Sequence, residues 1–187
     1  MLHKPLLLAY PDPPLTDGAV VLRRWAESDV GCIEEASSDR RITEATTVPA
    51  RFTLGAGLAW IERQWQRADN GEGLSLAIAD AGSGGAVGAV VLMFRRQPGT
   101  AGIGYWLVER ARGRRRASRA VALVARWALT ETGLERVEAL AEPDNIASQR
   151  VLENVGFHRD GHLRSHLVFS GRRADALIYS LLPSDLA

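Results

Sequence analysis

The chain has 187 residues, of which 46% are hydrophobic and 24% are charged. This length and composition are typical of one globular domain with a buried core, and the length favours one domain over two. With 23 basic and 22 acidic side chains the formal net charge is only +1, whereas proteins that bind nucleic acid usually carry a clear basic surplus. The single cysteine, Cys32, excludes a disulfide within the chain and disfavours a cysteine-based metal cluster.

The N-terminal segment MLHKPLLLAYPDPP has a four-residue apolar run, too short for a signal-peptide core and followed by proline. No stretch is apolar for the length needed to cross a membrane, so we expect no membrane partner and a cytoplasmic protein. One domain is expected over residues 1–187, with residues 1–17 as a loose N-terminal extension. His158, His162 and His166 recur every four residues, but nearby glycines and alternating apolar residues predict strands, so we expect no metal site.

Hydrophobic patterns in the first half of the chain alternate between the strand and the helix period. The predicted elements are strand 19–25, helix 26–39, helix 53–68, strand 73–80, strand 84–94 and strand 100–109. The apolar face of the second helix is predicted to consist of Leu54, Leu58, Ile61 and Trp65. A glycine-rich hairpin joins the two strands that follow.

In the second half, a helix is predicted to begin within an arginine-rich segment. Its buried stripe is predicted to be Ala117, Val121, Val124 and Ala128, with Arg115, Arg119 and Arg126 on the other side. Strand 134–142, helix 145–156 and closing strands over 157–182 follow. A strand meander followed by a strand–helix–strand–helix unit predicts one mixed α/β sheet.

Six arginines lie within residues 110–119, at the junction of a predicted strand, loop and helix. A helix N-terminus presents unpaired N–H groups and a favourable dipole, so this layout suits a phosphate group. Gly113 in the turn and the small residues Ala117 and Ser118 in the first helical turn support that interpretation. The segment is equally consistent with a solvated basic helix end, and a nucleic-acid contact is a third interpretation.

A second motif places Asn145 and Ser148 three residues apart at the start of a short helix. The simpler interpretation is that Asp144 or Asn145 only caps that helix, since such residues are common at N-caps.

Together the two segments resemble the GCN5-related N-acetyltransferases (GNAT), in particular the branch that acetylates ribosomal-protein N-termini. That family's cofactor loop reads Gln/Arg-x-x-Gly-x-Gly/Ala, and its six places hold Arg112, Gly113, Arg114, Arg115, Arg116 and Ala117. The second signature, Asn-x-x-Ser followed by Gly-Phe, is met by Asn145, Ser148, Gly156 and Phe157. Residues 15–29 also resemble the opening of that branch, so the resemblance covers nearly the whole chain.

The resemblance implies an α/β (α+β) GNAT fold: one mixed, mostly antiparallel twisted sheet flanked by helices, with the cofactor between splayed central strands. It implies acetyl-CoA as co-substrate, no metal, and direct acetyl transfer to a primary amine. The cofactor-binding residues it implies are Leu107, Val108, Glu109, Arg112, Gly113, Arg114, Arg115, Arg116, Ala117, Ser118, Asn145 and Ser148.

The expected chemistry needs a base for the amine, a donor for the oxyanion and a donor for the departing thiolate. A backbone N–H near Leu107 or Val108 is expected at the oxyanion, and the resemblance assigns Ser148 to the thiolate. Ser148 could instead hydrogen-bond within its own helical turn. Glu138 and Glu142 are the candidate bases, with Glu72 as another, and each could also be a solvated carboxylate.

Arg115 stands where the family has its central glycine, which lets the backbone approach the pyrophosphate. Its side chain could point to solvent, bind the pyrophosphate or block the site. We expect it to point to solvent, in line with Arg119 and Arg126.

Residues 38–70 and the hairpin at 170–173 are expected to shape the acceptor pocket, which could admit a peptide N-terminus, a small metabolite or an antibiotic amine. The alternatives are a CoA-binding sensor or scaffold without turnover and a protein that binds nucleic acid through Arg110–Arg119. The resemblance also implies a homodimer, with strand 176–182 as a sheet edge to cover.

Overall fold

Eight β-strands form one sheet in the part of the chain that this computed structural model describes, residues 8–169 and 171–186. In chain order they are β1 (Leu15–Thr16), β2 (Val20–Arg23), β3 (Gly73–Asp80), β4 (Ala86–Phe94), β5 (Thr100–Leu107), β6 (Arg136–Ala141), β7 (His158–Phe169) and β8 (Arg172–Leu181). The α-helices are α1 (Val30–Ser37), α2 (Arg40–Ala45), α3 (Leu54–Asp69), α4 (Arg116–Glu131) and α5 (Ile146–Val155). The expected looseness of residues 1–17 stays a prediction, because residues 1–7 lie outside the described residues. Within the described part of that segment, Leu15–Thr16 forms a short strand paired with β2.

The strand order is β1-β2-β3-β4-β5-β6-β8-β7, and within the described chain only β5 and β6 run parallel. Their pairing is short, because it ends at Ile103 opposite Ala139. Beyond that point β5 continues beside β4 as far as Leu107, and β6 continues beside β8 as far as Ala141. The two central strands therefore separate, which confirms the predicted mixed sheet with splayed central strands.

The helices cover both faces of the sheet. Trp106 of β5 packs on Trp60 of α3, with 6.2 Å between ring centroids, whereas its neighbour Tyr105 contacts Ser148 of α5. Because successive strand residues point to opposite faces, α3 and α5 lie on opposite sides of the sheet. α4 packs against α5, so both lie on the same side.

α4 carries most of the predicted buried stripe: Val121, Val124 and Ala128 are buried, whereas Ala117 in the first turn is only partly buried. The predicted apolar face of α3 was right for Ile61, which is buried, and in part for Trp65, which packs against the core. The other residues that α3 buries are Gly57, Trp60 and Gln64. Leu54 is 60% exposed as the first helical residue. Gly57 sets this face, because a Cβ there would lie 2.8 Å from both Phe52 and Val30.

The prediction that strand 176–182 forms a sheet edge was also wrong. β8 lies between β6 and β7, and its side chains at Leu177, Tyr179 and Leu181 are buried. The outer strand is β7, which carries the three histidines in a strand as expected.

α2 was not predicted as a helix of its own, although Asp39 accepts a hydrogen bond from the Arg41 N–H at its start. No helix in the described part of the chain has the length and apolarity needed to cross a membrane.

Candidate active site

The gap between β5 and β6 exposes backbone groups of β5. Arg95 N–H donates to Thr100 O at 2.9 Å, and Val108 N–H donates to Val87 O at 3.0 Å. These bonds fix the alternation of the β4–β5 ladder, so that even-numbered residues of β5 direct their N–H toward β4 and odd-numbered ones away from it. Past Ile103, where pairing with β6 has ended, the N–H groups of Tyr105 and Leu107 therefore face the gap.

Leu107 and Val108, both expected near the oxyanion, differ in this respect. The N–H of Val108 is used by the sheet, whereas that of Leu107 faces the gap. The Leu107 carbonyl oxygen accepts hydrogen bonds from Arg112, from Nε at 3.1 Å and from Nη2 at 2.8 Å. These two hydrogen bonds join Arg112 to the end of β5 and stabilise the loop that leads from β5 to α4.

α4 begins without a side-chain cap among the described residues. Its N-cap residue, Arg115, has φ 57° and ψ 11°, which is the left-handed conformation that glycine adopts most easily. An arginine thus occupies a backbone conformation that favours glycine. The N–H groups of Arg116, Ala117 and Ser118 have no partner within the helix, and a Cβ on nearby Gly113 would meet open space.

Four of the six arginines of residues 110–119 form ion pairs with acids from distant parts of the chain. The pairs are Arg110–Glu35 at 2.8 Å, Arg112–Asp39 at 2.5 Å, Arg116–Asp80, and Arg119–Asp17 at 2.6 Å. Burial raises the pKa of Asp39, but the hydrogen bonds from Arg112 and the Arg41 N–H outweigh it and hold that pKa below its ordinary value. These pairs tie the loop to α1, to the start of α2 and to two β-hairpins.

The ion pairs decide between the interpretations of the arginine segment. An arm that binds nucleic acid needs free cationic side chains, yet only Arg114 and Arg115 lack an acidic partner within residues 8–169 and 171–186. The arginines mainly position a loop whose backbone leads into an uncapped helix start. This arrangement favours a phosphate site over a nucleic-acid contact.

Arg115 is exposed and borders a groove of about 480 Å³ between α4 and the end of α5. Arg119 and Arg126 line the same groove, together with Ser118 and Asn154. Arg115 is therefore exposed and borders the same groove as the other two arginines, in line with the expectation.

α5 begins differently, because Asn145 caps it. The Asn145 side-chain oxygen accepts the Ser148 N–H at 3.1 Å. The hydroxyl of Ser148 is paired outside its own helical turn, with the Tyr105 hydroxyl at 2.8 Å, and that hydroxyl also lies 3.2 Å from the Ser148 carbonyl oxygen. Burial raises the pKa of Tyr105 to about 12. Neither motif contains Tyr105; its alternation with Trp106 along β5 was the available signal that the two side chains face opposite sides of the sheet.

The candidate bases are engaged in polar contacts. Glu138 accepts from Arg136 Nε at 2.8 Å, and Glu142 accepts from both terminal nitrogens of Arg172, at 2.7 and 3.1 Å. Glu138 pairs with Gly102, an even-numbered residue of β5, so it lies on the α3 side of the sheet, opposite Ser148. Glu72, before β3, is exposed and accepts from Asn70 at 3.2 Å. The role of each as a base stays a prediction.

The segments expected to shape the acceptor pocket approach each other at the mouth of the gap. The pKa of Arg172, at the start of β8, is raised by its hydrogen bonds to Glu142 and by the nearby charges of Glu44 and Asp144. Glu44 belongs to α2, so α2 and the β7–β8 hairpin lie close together. Ser170, at the tip of that hairpin, lies outside the described residues.

Residues 19–158 match the family model of the acetyltransferase (GNAT) domain. The chain is 34% identical over 136 residues to the probable N-acetyltransferase YjcK of Bacillus subtilis (strain 168), covering 72% of this chain and 75% of that protein. It resembles Mycobacterium smegmatis RimJ in complex with CoA-disulfide, with a TM-score of 0.80, 24% identity, and 92% and 87% of the two chains covered. It also resembles RimL, a ribosomal L7/L12 alpha-N-protein acetyltransferase in complex with coenzyme A, with a TM-score of 0.79, 17% identity, and 93% and 98% covered.

The chain therefore belongs to the acetyltransferase (GNAT) domain family. It is an N-acetyltransferase that uses acetyl-CoA as its acetyl donor, which confirms the function and co-substrate expected from the two motifs.

Proposed function

We propose that the acceptor is the α-amino group of a protein N-terminus, and that acetyl-CoA binds across the start of α4 and the gap between β5 and β6. The uncapped start of α4 beside the open gap is the observation that carries this proposal. The name of RimL as an alpha-N-protein acetyltransferase supports the choice of acceptor.

The residues at the start of α4 fit the pyrophosphate of the cofactor. Three backbone N–H groups point out of the helix end, and the helix dipole adds positive potential there. Gly113 has open space beside it, so the backbone can be approached closely. Arg114 and Arg115 add unneutralised charge near the site, and the arginine-lined groove between α4 and α5 suits a further phosphate at the adenosine end.

The residues at the gap fit the acetyl transfer. Acetyl-CoA supplies an activated acyl group as a thioester. The N–H of Leu107 faces the gap and can donate to the developing oxyanion, whereas the N–H of Val108 is used by the sheet. Ser148 presents its hydroxyl at the start of α5, where it can donate to the sulfur that leaves. Glu138 and Glu142, on or just after β6, remain the candidates that take the proton from the amine.

Calorimetric titration with acetyl-CoA, followed by mass spectrometry on peptides and small amines, tests the proposal. We expect binding, and acetylation of peptides with a free N-terminus in preference to the same peptides with a blocked N-terminus and one lysine. Absence of binding at millimolar acetyl-CoA would overturn the cofactor site. Binding without acetylation of any amine would instead support the sensor or scaffold alternative.

The assignment of the groove is tested with dephospho-CoA, which lacks only the 3′-phosphate. If the groove binds that phosphate, dephospho-CoA binds less tightly than CoA, and Arg126→Gln reduces the difference. Equal affinities would place the 3′-phosphate in solvent.

Light scattering on the same preparation tests the homodimer, and fractionation of the native host tests the cytoplasmic location, both of which stay predictions.

A further inference from the structure

Tyr105 and Ser148 join two parts of the molecule that the gap otherwise separates. Tyr105 lies on β5, past the last residue that pairs with β6, and Ser148 lies in the first turn of α5. Their hydroxyl oxygens are 2.8 Å apart, which is the ordinary length of a hydrogen bond between hydroxyls. The pair thus lies on the α5 side of the gap, where the proposed acetyl transfer takes place.

We propose that Tyr105 is a positioning residue for the acetyl transfer: it donates its phenolic hydrogen to the Ser148 oxygen, so that the Ser148 hydrogen is directed at the departing thiolate. This inference rests on the proposed function of the site. It adds a residue that neither cofactor motif contains.

The local hydrogen bonding favours this direction of donation. Tyr105 has one hydrogen to donate and two acceptors within reach, the Ser148 hydroxyl oxygen at 2.8 Å and the Ser148 carbonyl oxygen at 3.2 Å. The carbonyl oxygen already has a helical partner, because the N–H four residues later in α5 belongs to Leu152. The Ser148 N–H is held by Asn145, so the backbone around the hydroxyl is fixed. We assign the phenolic hydrogen to the shorter contact, the one to the hydroxyl oxygen.

The state of the phenol is consistent with a donor. Burial raises the pKa of Tyr105 to about 12, so the phenol keeps its proton at neutral pH. A phenolate could only accept, and it would turn the Ser148 hydrogen away from the sulfur.

The transfer balances without a proton from Tyr105. The amine nitrogen forms a bond to the acetyl carbon and loses its proton to a base, the carbon–sulfur bond breaks, and its electron pair stays on sulfur. Ser148 donates a hydrogen bond to the resulting thiolate, and Tyr105 keeps its proton throughout. Hydrogen bonds to charged groups are stronger than those between neutral groups, so the contact stabilises the thiolate more than the thioester.

Tyr105→Phe removes only the hydroxyl, and we expect kcat to fall about tenfold while KM for acetyl-CoA stays within about twofold. Ser148→Ala should lower kcat at least as much, and the double variant should be no slower than Ser148→Ala alone. Tyr179→Phe is the matched control, because its hydroxyl lies 3.4 Å from Glu153 and makes no hydrogen bond to Ser148 within the described residues. A kcat unchanged in Tyr105→Phe, or a double variant slowed by the product of the two single effects, would overturn the proposal.

A binding measurement decides the same question without turnover. Calorimetry at pH 10, where an alkyl thiol such as that of CoA is substantially ionised, compares CoA with desulfo-CoA, in which hydrogen replaces the thiol. We expect wild type to prefer CoA and Tyr105→Phe to lose most of that preference, with melting temperatures of the two proteins alike. Wild type that binds neither ligand contradicts the proposed function, and this inference with it. Wild type that binds and acetylates, with an unchanged preference in Tyr105→Phe, contradicts this inference alone.

Discussion

The starts of α4 and α5 have almost the same sequence but different hydrogen bonding. α4 begins Arg116-Ala117-Ser118 and α5 begins Ile146-Ala147-Ser148, with a serine at the third helical position of each. The residue before α5, Asn145, accepts the N–H of that serine through its side chain. The residue before α4, Arg115, has a left-handed backbone conformation, and its side chain accepts no backbone N–H of the helix.

The N-cap residue thus determines what each helix start offers a ligand. At α4 the backbone N–H groups remain available, so the helix end suits an anion. At α5 the cap occupies a backbone N–H and fixes the turn, and the group proposed to act on the thiolate is the Ser148 side chain, beside Tyr105. In the proposed function, one helix start binds the cofactor with its backbone and the other acts with a side chain.

Ser118→Glu should separate the two roles most strongly. A carboxylate at the third position of α4 stands where the proposed pyrophosphate charge binds, and unit charges about 4 Å apart near a protein surface interact by about 4 kcal/mol. Allowing for half of that, we expect acetyl-CoA affinity to fall at least about thirtyfold, whereas fold stability stays the same or rises, since a glutamate suits a helix N-terminus. Calorimetry and thermal unfolding measure the two effects.

Ser118→Gln is the neutral control for that change. It has the same shape without the charge, so its affinity should remain within a few-fold of wild type. If both variants lose affinity equally, bulk and not charge is responsible, and the start of α4 does not hold an anion.

Asn145→Ala removes the cap of α5 and should cost about 1 kcal/mol of unfolding free energy. In a protein of this size that corresponds to a fall in melting temperature of roughly 2–4 °C. The equivalent change at α4, Arg115→Ala, removes no cap and should leave the melting temperature within about 1 °C. A comparable loss in both variants would mean that Arg115 stabilises α4 by a contact that the left-handed cap geometry does not predict.

The local elements of both helix starts could be predicted from sequence, because their signals lie within a few residues. Gly113 and the small first turn indicated the loop into α4, and Asn145 indicated the start of α5. The contacts that give these starts their function were not predicted. Tyr105 and Ser148 are 43 residues apart, and the partners of Arg110, Arg112, Arg116 and Arg119 are 75, 73, 36 and 102 residues away.

Such pairings depend on strand register and on which face a helix buries, and short-range patterns do not determine either. The position of β8 between β6 and β7 is one example, because an apolar strand is compatible with an edge or an interior place. The face of α3 is another example. A stripe through Leu58 and Trp65 fits the helical period as well as the stripe that is buried, and the close packing at Gly57 selects the buried face.

The two helix starts should also differ in their response to acid. The pKa values of Asp17, Asp39 and Asp80 are held below their ordinary values, so these carboxylates bind protons less readily in the folded state. Their contribution to stability is present above the unfolded pKa of about 3.9 and is lost as the pH falls through the lower folded values. The cap of α5 is an uncharged amide and has no such dependence.

Hydrogen exchange with correction for intrinsic rates should therefore show residues 109–119 losing protection between pH 4 and pH 2.5 before the first turn of α5 does. The loss should be less than about tenfold, because exposed ion pairs are individually weak. Simultaneous loss at both helix starts would indicate global unfolding and not release of the arginine loop.

Arg115→Gly should have the smallest effect. The left-handed conformation costs a non-glycine residue about 1 kcal/mol, and the greater unfolded-state freedom of glycine offsets much of that, so stability should rise by about 0.5 kcal/mol or less. Arg114→Gly, at a neighbouring position without a positive φ, should instead lower stability. Acetyl-CoA affinity should stay within about threefold in Arg115→Gly, because the backbone keeps its course and the exposed side chain lies along the groove. A tenfold gain in affinity would mean that Arg115 blocks the helix start, and a salt-dependent loss of about 1.5–3 kcal/mol would mean that it binds the pyrophosphate.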